Sequence, residues 1–470
     1  MKILRQRFLF LTAGLVLLAC ATSLSFFPKA PDRPNAPPFL ALEPGDRLMI
    51  LAPHEDDETL GPGGVIQQAL STGAQVRVVF LTCGDHYEWA FMAFEKKLWI
   101  TPTENRAMGY LRQRESTDAM SLLGLDAGNL AFLGFPDMGT LPIWESHWGS
   151  SPAFHSLLIK ASAVPYTNTL AFGQPFKGEN IVRDLKKLMA DYKPTRILVS
   201  HPGDGHPDHR SWYLYLQVAL LDLKGQIPDP DVYCYVVHAG TWPVPTGYHP
   251  EQWLSIPDRL TDSPGLWFMA ELDPRQVGMK QRAILLYKSE TAVNEAWLLG
   301  FARRNELFMK PETVVLTNEE SRIKDFARAS AETVAYQNNS QTGNLHSIRY
   351  AGTDEGLVLT IELHSFLEQI FGIFVHVYGY RPDIDFAGMP KLNIFWAPKE
   401  LYVADQDRQL SPNVLSAERS GKILTLAIPW ETLNQPDAIF VEAHGMAGKL
   451  RVSQTSWRLL LRKAPDATEP

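Results

Sequence analysis

Cysteine is scarce in this chain of 470 residues, and the scarcity removes two classes of site. The three cysteines are Cys20, Cys83 and Cys234, and no C-x-x-C spacing occurs. A cysteine zinc site and a disulfide framework are therefore excluded. Cys83 and Cys234 both lie in apolar, strand-like runs, where we expect buried thiols. A single bridge between these two cysteines is the alternative.

Several other signatures are also missing. The chain has no long run of Lys or Arg, and its formal net charge is −8. Phosphate binding needs concentrated positive charge, so we expect no nucleic-acid partner. No Gly-x-Ser-x-Gly elbow, Gly-x-Gly-x-x-Gly fingerprint or Walker-type loop is present. The sequence therefore gives no support for serine-nucleophile, dinucleotide-binding or P-loop chemistry.

The N-terminal segment indicates a route out of the cytoplasm. Basic residues within the first seven positions precede an uncharged apolar stretch from Phe8 to Phe27. Residues 1–27 are therefore predicted to be either a signal peptide or an N-terminal membrane anchor, with the body outside the cytoplasm. Residues 28–45 are a proline-rich linker. We expect a membrane-anchored or secreted protein of the periplasm or cell surface.

The length predicts more than one domain, and the pattern after the linker predicts an α/β domain over residues 46–325. A short apolar strand at 47–52, a helix at 59–72 and a second apolar strand at 75–82 follow one another. This order is typical of a right-handed βαβ unit in a parallel sheet. We therefore expect a Rossmann-like parallel sheet with flanking helices.

Residues 340–470 show a different period, which predicts an all-β sandwich domain. Apolar and polar residues alternate along 357–363, and several further short strands are separated by Gly, Pro, Asn and Asp turns. We expect the histidines of this domain to be structural. Its aromatic residues Tyr378, Tyr380 and Trp396 are expected to pack in the core, and a carbohydrate-binding surface is the alternative.

Two polar clusters follow two of the predicted strands. Residues 53–58 read PHEDDE, and residues 201–210 read HPGDGHPDHR. Ligands of open α/β sheets bind at the carboxyl ends of the strands. A bound cation would offset the crowded negative charge, and two histidines with one carboxylate would form an open, catalytic type of zinc site.

The two clusters resemble those of the LmbE-like (PIG-L) deacetylases, a family that removes acetyl groups from N-acetylglucosaminyl conjugates. The family motif His-Pro-Asp-Asp-Glu is similar to residues 54–58, and His-Pro-Asp-His matches residues 206–209. An Arg-x-x-Glu helix at 112–115 and a Leu-Gly-Phe-Pro-Asp segment at 133–137 extend the likeness. The resemblance covers roughly residues 46–310 and none of the β-rich part.

The resemblance implies the metal and its ligands. His54, Asp57 and His209 would hold a divalent ion; zinc is expected, although this donor set suits other divalent ions as well. Glu55 stands where the family has proline, and Glu290 stands where it has glutamine. Neither departure falls on a ligand position.

The resemblance also implies the remaining site residues. Asp56 would be the general base, His206 would polarise the carbonyl or stabilise the oxyanion, and Asp208 would orient a histidine. Arg112 and Asp137 would hold sugar hydroxyls. Two further histidines each have two interpretations: His201 is either a site residue or a plain loop residue, and His238 is expected to be a core or pocket-edge residue, with a functional role as the alternative.

We therefore expect a metal-dependent N-deacetylase that acts on an N-acetylated sugar, glycolipid or polysaccharide in the cell envelope. One alternative is a hydrolase of another amide in a sugar conjugate. The other is a surface carbohydrate-binding protein without catalytic activity. Two long aromatic-rich stretches, at 85–104 and 138–178, would shape the substrate site.

Overall fold

A computed structural model describes residues 32–463, apart from 87–91, 93, 95, 97–99, 322–323, 327, 330–344 and 364–370. The predicted signal peptide or anchor lies outside the described residues, and so does most of the aromatic stretch after residue 86. In the described part of the chain, no helix is both long enough and apolar enough to span a bilayer.

The first half of the chain forms a seven-stranded sheet. Its strands are β1 (Arg47–Ala52), β2 (Gln75–Thr82), β3 (Leu130–Phe135), β4 (Arg196–Ser200), β5 (Asp231–Tyr235), β6 (Gly265–Glu271) and β7 (Asn305–Pro311). The strand order is β3-β2-β1-β4-β5-β7-β6. The first five strands are parallel, which confirms the Rossmann-like prediction, whereas β7 runs antiparallel to both of its neighbours.

Helices cover both faces of this sheet. They are α1 (Asp57–Leu60), α2 (Gly63–Thr72), α3 (Pro102–Leu123), α4 (Thr140–Ser146), α5 (Gly178–Tyr192), α6 (Pro207–Asp222), α7 (Pro274–Ile284) and α8 (Lys288–Leu299). Short 3-10 turns occupy Ala127–Asn129, Asp258–Leu260, Phe386–Gly388, Pro412–Val414 and Trp430–Leu433. Cys83 and Cys234 are buried free thiols, as predicted.

The helix predicted over residues 59–72 is broken into α1 and α2. A Cβ on Gly61 would lie 2.5 Å from the Tyr235 ring, and one on Gly64 would lie 2.3 Å from the Leu272 side chain. Pro62 lies between α1 and α2 and has no backbone N–H with which to continue the first helix. Glycine at positions 61 and 64 permits the close approach of Tyr235 and Leu272.

The second half of the chain is a sandwich of two sheets. Its strands are β8 (Val314–Leu316), β9 (Asp325–Phe326), β10 (Arg328–Ala329), β11 (Leu345–Gly352), β12 (Gly356–Leu363), β13 (Phe371–Tyr380), β14 (Lys391–Ala397), β15 (Glu400–Asp405), β16 (Arg408–Gln409), β17 (Ser416–Ser420), β18 (Ile423–Pro429), β19 (Ala438–Ala447), β20 (Leu450–Gln454) and β21 (Arg458–Arg462).

The larger sheet of the sandwich has the order β10-β20-β19-β13-β14-β15-β16, with β21 pairing to β19 and β8. The smaller sheet has the order β17-β18-β12-β11-β9. Alternate side chains of both sheets, such as Leu359, Ile361 and Val375, form one enclosed core. This arrangement is the predicted β-sandwich. The early strands β8 and β9 already belong to it.

Aromatic side chains join the sandwich to the α/β half. Trp144 on α4 is fully buried, and its ring centroid lies 5.3–6.0 Å from the ring centroids of six aromatic side chains. Those six are Trp148 and Tyr215 in the α/β half, and Tyr378, Phe386, Phe440 and Trp457 in the sandwich. Tyr378, Tyr380 and Trp396 are all buried, as expected for core packing, and do not present a sugar-binding surface.

The contacts of Trp144 predict a large loss of stability when the ring is removed. Trp144→Ala should lower the free energy of unfolding by about 3–5 kcal/mol because it leaves a cavity between the two halves. Leu157→Ala, at a side chain that is 79% exposed, should change it by no more than about 0.5 kcal/mol. Urea unfolding of both variants measures the difference, and equal stabilities would contradict the packing described here.

Candidate active site

The pairing of β1 with β4 brings the two polar clusters together. The strands are parallel, with Leu51 opposite Val199. The segments that follow them therefore leave the same edge of the sheet. Between them lies a cavity of about 520 Å³. Its lining includes His54, Asp56, Arg112, Asp137 and His206, along with His86, Met138, His238, Gly240, Glu290, Asn294 and Trp297.

Three donor atoms form a nearly equilateral triangle beside this cavity. His54 Nδ1 lies 3.2 Å from Asp57 Oδ2, His209 Nε2 lies 3.1 Å from the same oxygen, and the two nitrogens are 3.3 Å apart. All three side chains are buried. Ligands about 2.0–2.1 Å from a tetrahedral zinc ion stand roughly 3.3 Å from one another. The three predicted ligands therefore fit a divalent metal ion.

Each histidine of the triangle has a carboxylate behind it. Asp208 Oδ2 lies 3.3 Å from His54 Nε2, and Asp204 Oδ2 lies 3.4 Å from His209 Nδ1. Backbone N–H groups of Met138 and Thr140 donate to Asp208 at 2.6 and 3.0 Å and hold it in place. Carboxylates in this position fix the tautomer and orientation of ligating histidines. The predicted orienting role of Asp208 thus has its geometric partner in His54.

Asp204 was not assigned a role from the sequence. It stands five residues before His209 in the same polar segment, and that proximity is the only sequence signal for it. Its Oδ2 also accepts the backbone N–H groups of Val237 and His238, both at 3.0 Å. These bonds hold the Asp204 carboxylate in place. Its pKa depends on burial and on the ion pair with His209. Burial raises the pKa of Asp204, but the charge and hydrogen bond of His209, the charge of His238 and the His206 N–H together outweigh burial and bring that pKa well below its ordinary value.

Other donor sets surround the same histidines. His54, Asp137, His206 and Asp208 bring donor atoms within 4.8 Å of one another, as do Asp57, His209 and His238. In the first set, both Asp208 oxygens already accept two contacts each, from Thr140, Met138 and His54. Asp57 Oδ1 has no hydrogen-bond partner, and neither has Asp137 Oδ1 in the first set. The triangle on the Nδ1 side of His54 contains the three residues predicted as ligands, and we refer to it as the metal face.

Asp56 reaches the cavity from a strained backbone. Its φ of 145° lies in a region that residues with a side chain seldom adopt. Such strain persists where surrounding structure holds it, often at functional sites. Burial and then the neighbouring Asp57 raise the pKa of Asp56 well above its ordinary value, against the opposing charge of Arg112. A carboxyl group next to the metal face is thus placed to take up a proton.

His206 is prepared to donate a hydrogen bond into the cavity. Its Nδ1 accepts the backbone N–H of Asp208 at 3.3 Å, so the neutral ring carries its proton on Nε2. Burial and then the neighbouring His54 lower the pKa of His206 well below its ordinary value. The neutral, Nε2-protonated ring suits the predicted contact with a substrate carbonyl.

Arg112 and Asp137 both line the cavity, and each is held by neighbours. Arg112 Nη1 lies 2.7 Å from Glu290 Oε1, and its guanidinium donates to the Glu55 carbonyl at 3.1 Å. Glu290, noted from the sequence as a departure, is therefore the ion-pair partner of the buried arginine. Asp137 Oδ2 accepts the backbone N–H of His86 at 3.2 Å. The predicted contacts of Arg112 and Asp137 with sugar hydroxyls stay predictions.

The structure places His201 and His238 in different positions relative to the cavity. His201 is buried, its Nδ1 accepts the backbone N–H of Gly203 at 2.8 Å, and it does not line the cavity. His238 does line the cavity. Its ring stacks on Trp297 at 5.4 Å and lies 4.8 Å from the His209 ring. His238 is therefore a pocket-edge residue. Trp297, on α8, carried no recognisable sequence signal for this position.

Comparison with known proteins places the likeness on the α/β half. Residues 49–220 match the model of the PIG-L family, described as GlcNAc-PI de-N-acetylase. A 1D-myo-inositol 2-acetamido-2-deoxy-alpha-D-glucopyranoside deacetylase of Mycobacterium sp. (strain KMS) is 29% identical over 190 residues, which is 39% of this chain and 52% of the relative. Its namesake in Mycobacterium leprae (strain Br4923) is 27% identical over 205 residues, 43% of this chain and 58% of the relative. The chain thus spans about half the length of these relatives.

Similar solved structures are more distant. The N,N'-diacetylchitobiose deacetylase from Pyrococcus horikoshii matches with a TM-score of 0.35 and 16% identity, over 57% of this chain and 84% of that one. The 4-carboxy-2-hydroxymuconate hydratase GalB from Pseudomonas putida KT2440 matches with a TM-score of 0.33 and 18% identity, over 55% of this chain and 82% of that one. Likenesses this distant say nothing about reaction or substrate.

The carboxylate behind His209 predicts an effect on metal affinity. Asp204→Asn should weaken zinc binding about 10- to 100-fold because the imidazole loses its anionic partner. Asp126→Asn, at an exposed carboxylate, is the matched control and should leave affinity unchanged. Competition with a chromophoric chelator measures both. Equal affinities for Asp204→Asn and the unmodified chain would show that Asp204 does not support the metal face.

Proposed function

We propose that this protein is a zinc-dependent N-deacetylase of an N-acetylglucosamine-type sugar or glycoconjugate in the cell envelope. The observation that carries the proposal is the triangle of His54, Asp57 and His209 donor atoms, 3.1–3.3 Å on each side, with Asp56 and His206 in the same cavity. The match of residues 49–220 to a de-N-acetylase family and the deacetylase relatives support the same reaction.

A bound zinc ion would supply Lewis-acid polarisation of the acetyl carbonyl and lower the pKa of water toward about 7. The Asp56 carboxylate takes a proton from the attacking water as the new C–O bond forms. His206 donates its Nε2 proton as a hydrogen bond to the carbonyl oxygen while negative charge builds there, a contact worth roughly 3 kcal/mol. Asp56 then returns the proton to the leaving nitrogen as the C–N bond breaks, which gives the free amine and acetic acid; the acid ionises to acetate at neutral pH.

The rest of the cavity suits a sugar ring. Its volume of about 520 Å³ is within the range of small-molecule sites, roughly 300–1,000 Å³. Asp137 and Asn294 offer hydrogen-bonding groups for hydroxyls, and Trp297 offers a flat apolar face. Arg112 contributes a guanidinium whose position is fixed by Glu290. Polar groups beside one aromatic face are the usual means of orienting a carbohydrate.

The location and domain layout complete the proposal. Residues 1–27 would export or anchor the chain. The predicted deacetylase domain of residues 46–325, apart from its sandwich strands β8 and β9, would then act outside the cytoplasm beside the predicted sandwich domain of residues 340–470. The basic start and uncharged apolar stretch of the sequence support this layout. The substrate would then be a glycolipid or polysaccharide of the envelope.

Acetate release tests the reaction. The zinc-loaded full chain should release acetate from at least one member of a panel of N-acetylated glycans, and a chelator should abolish release. Asp56→Asn should lower kcat roughly 10²- to 10⁴-fold because no carboxylate remains to accept the water proton. The exposed Asp126→Asn is again the control and should retain full activity. Bound zinc without acetate from any glycan would instead favour a different amide or a binding role.

His206 predicts a distinct kinetic signature. His206→Gln should lower kcat roughly 10²- to 10³-fold with little change in KM, because the lost contact strengthens mainly in the transition state. His155→Gln, at a histidine outside the cavity lining, should behave as the unmodified chain. Steady-state kinetics on the substrate identified above measures both variants. A raised KM at unchanged kcat would assign His206 to ground-state binding only.

A further inference from the structure

A second cluster of metal-ligating side chains lies in the sandwich, away from the cavity. His376 on β13 pairs in register with Glu442 on β19, and His444 stands two residues further along β19. Neighbouring strands and alternate positions place the three side chains on one face of the sheet. His444 Nδ1 lies 2.9 Å from Glu442 Oε2, and one donor atom from each residue lies within 4.8 Å of the others. We refer to these three residues as the interdomain cluster.

Two donor atoms of the interdomain cluster have no hydrogen-bond partner. His376 Nε2 and Glu442 Oε1 are both buried, in side chains that are 5% and 1% exposed. Asn393 Oδ1 accepts a hydrogen bond from His376 Nδ1 at 2.7 Å, which places the ring proton on Nδ1 and leaves a lone pair on Nε2. Buried polar atoms without partners are rare and call for an occupant.

We propose that the interdomain cluster binds a divalent metal ion, zinc by its ligand chemistry. Two imidazoles and one carboxylate form a donor set that zinc prefers. Asn393 gives His376 the oriented outer contact that ligating histidines ordinarily have. This assignment concerns residues outside the segment that matches the deacetylase family, and it does not depend on the proposed reaction.

The interdomain cluster also approaches the α/β half of the chain. Glu145 on α4 comes within 3.9 Å of His376 Nε2. An ion in the cluster would thus lie where the sandwich meets the α/β half, and it would link the two.

Two guanidinium groups oppose the ion and set its expected affinity. Arg451 lies 3.2 Å from Glu145 Oε1, and Arg210, next to the cavity ligand His209, is close enough to the cluster to interact with Glu442 and Glu145. Arg451 and Arg210 already balance the charges of Glu145 and Glu442. A bound metal ion would therefore add positive charge that no further carboxylate of the cluster offsets. We therefore expect the interdomain cluster to release zinc before the cavity site does when chelator is added.

Zinc counting on single-site variants tests the assignment. The purified full chain, saturated with zinc and desalted, should carry two equivalents per chain by elemental analysis. His444→Gln and Glu442→Gln should each carry one, His209→Gln should carry one, and the double variant His209→Gln/His444→Gln should carry none. His346→Gln, another histidine of the sandwich, is the matched control and should keep two. Circular dichroism confirms that each variant is folded.

The counts also distinguish the failures. A single equivalent in the unmodified chain that disappears in His209→Gln would overturn the interdomain assignment and show that the guanidinium groups alone neutralise its carboxylates. Two equivalents that persist in both His444→Gln and folded Glu442→Gln would overturn it as well. Two equivalents with the predicted losses, in a chain that releases no acetate, would contradict the proposed reaction and leave the interdomain site in place.

Discussion

The parallel pairing of β1 with β4 is the constraint on which the site depends. Each strand contributes one polar segment at its carboxyl end, and the register sets how those segments meet. His54 and Asp57 come from one segment, and His209 from the other. A shift of one residue would turn every side chain of the shifted strand to the opposite face. Both faces of these strands lie in apolar cores, so it is the packing of the individual side chains that stabilises this register and the geometry of the donor triangle.

The concentration of buried acid beside β1 is the second organising feature. Glu55, Asp56, Asp57 and Glu58 are all buried, and burying a carboxylate is costly unless it is paired. Glu58 accepts hydrogen bonds from the Tyr287 hydroxyl and the Asp56 N–H. Glu55 lies 3.8 Å from Arg112 Nε. Asp57 has two histidines and one unpartnered oxygen, which is the environment that a bound cation would complete.

Much of the fold could be predicted because local pattern and tertiary context agree. The apolar strands at 47–52 and 75–82 occur with the predicted bounds, since a buried parallel strand is apolar along most of its length. The helix after β1 was predicted as continuous. It is interrupted at Pro62, a local helix breaker that the prediction did not take into account. The antiparallel β6–β7 edge, by contrast, rests on pairings that no local pattern indicates.

The site was predictable to the extent that its residues stand in short motifs. His54, Asp57 and His209 lie within two such motifs, and the structure brings all three together. Asp204 and Trp297 were missed because their importance depends on what the fold places beside them. The buried contacts of Trp144 and the interdomain cluster were missed for the same reason. A histidine on a β-strand gives no sign in the sequence of which carboxylate the opposite strand carries.

The most direct test of the metal face is anomalous diffraction from a zinc-soaked crystal, measured on both sides of the zinc absorption edge. The donor geometry predicts a difference peak bounded by His54 Nδ1, Asp57 Oδ2 and His209 Nε2. A peak on the opposite side of the same imidazole, bounded by His54 Nε2 together with Asp137 and Asp208, would contradict the account.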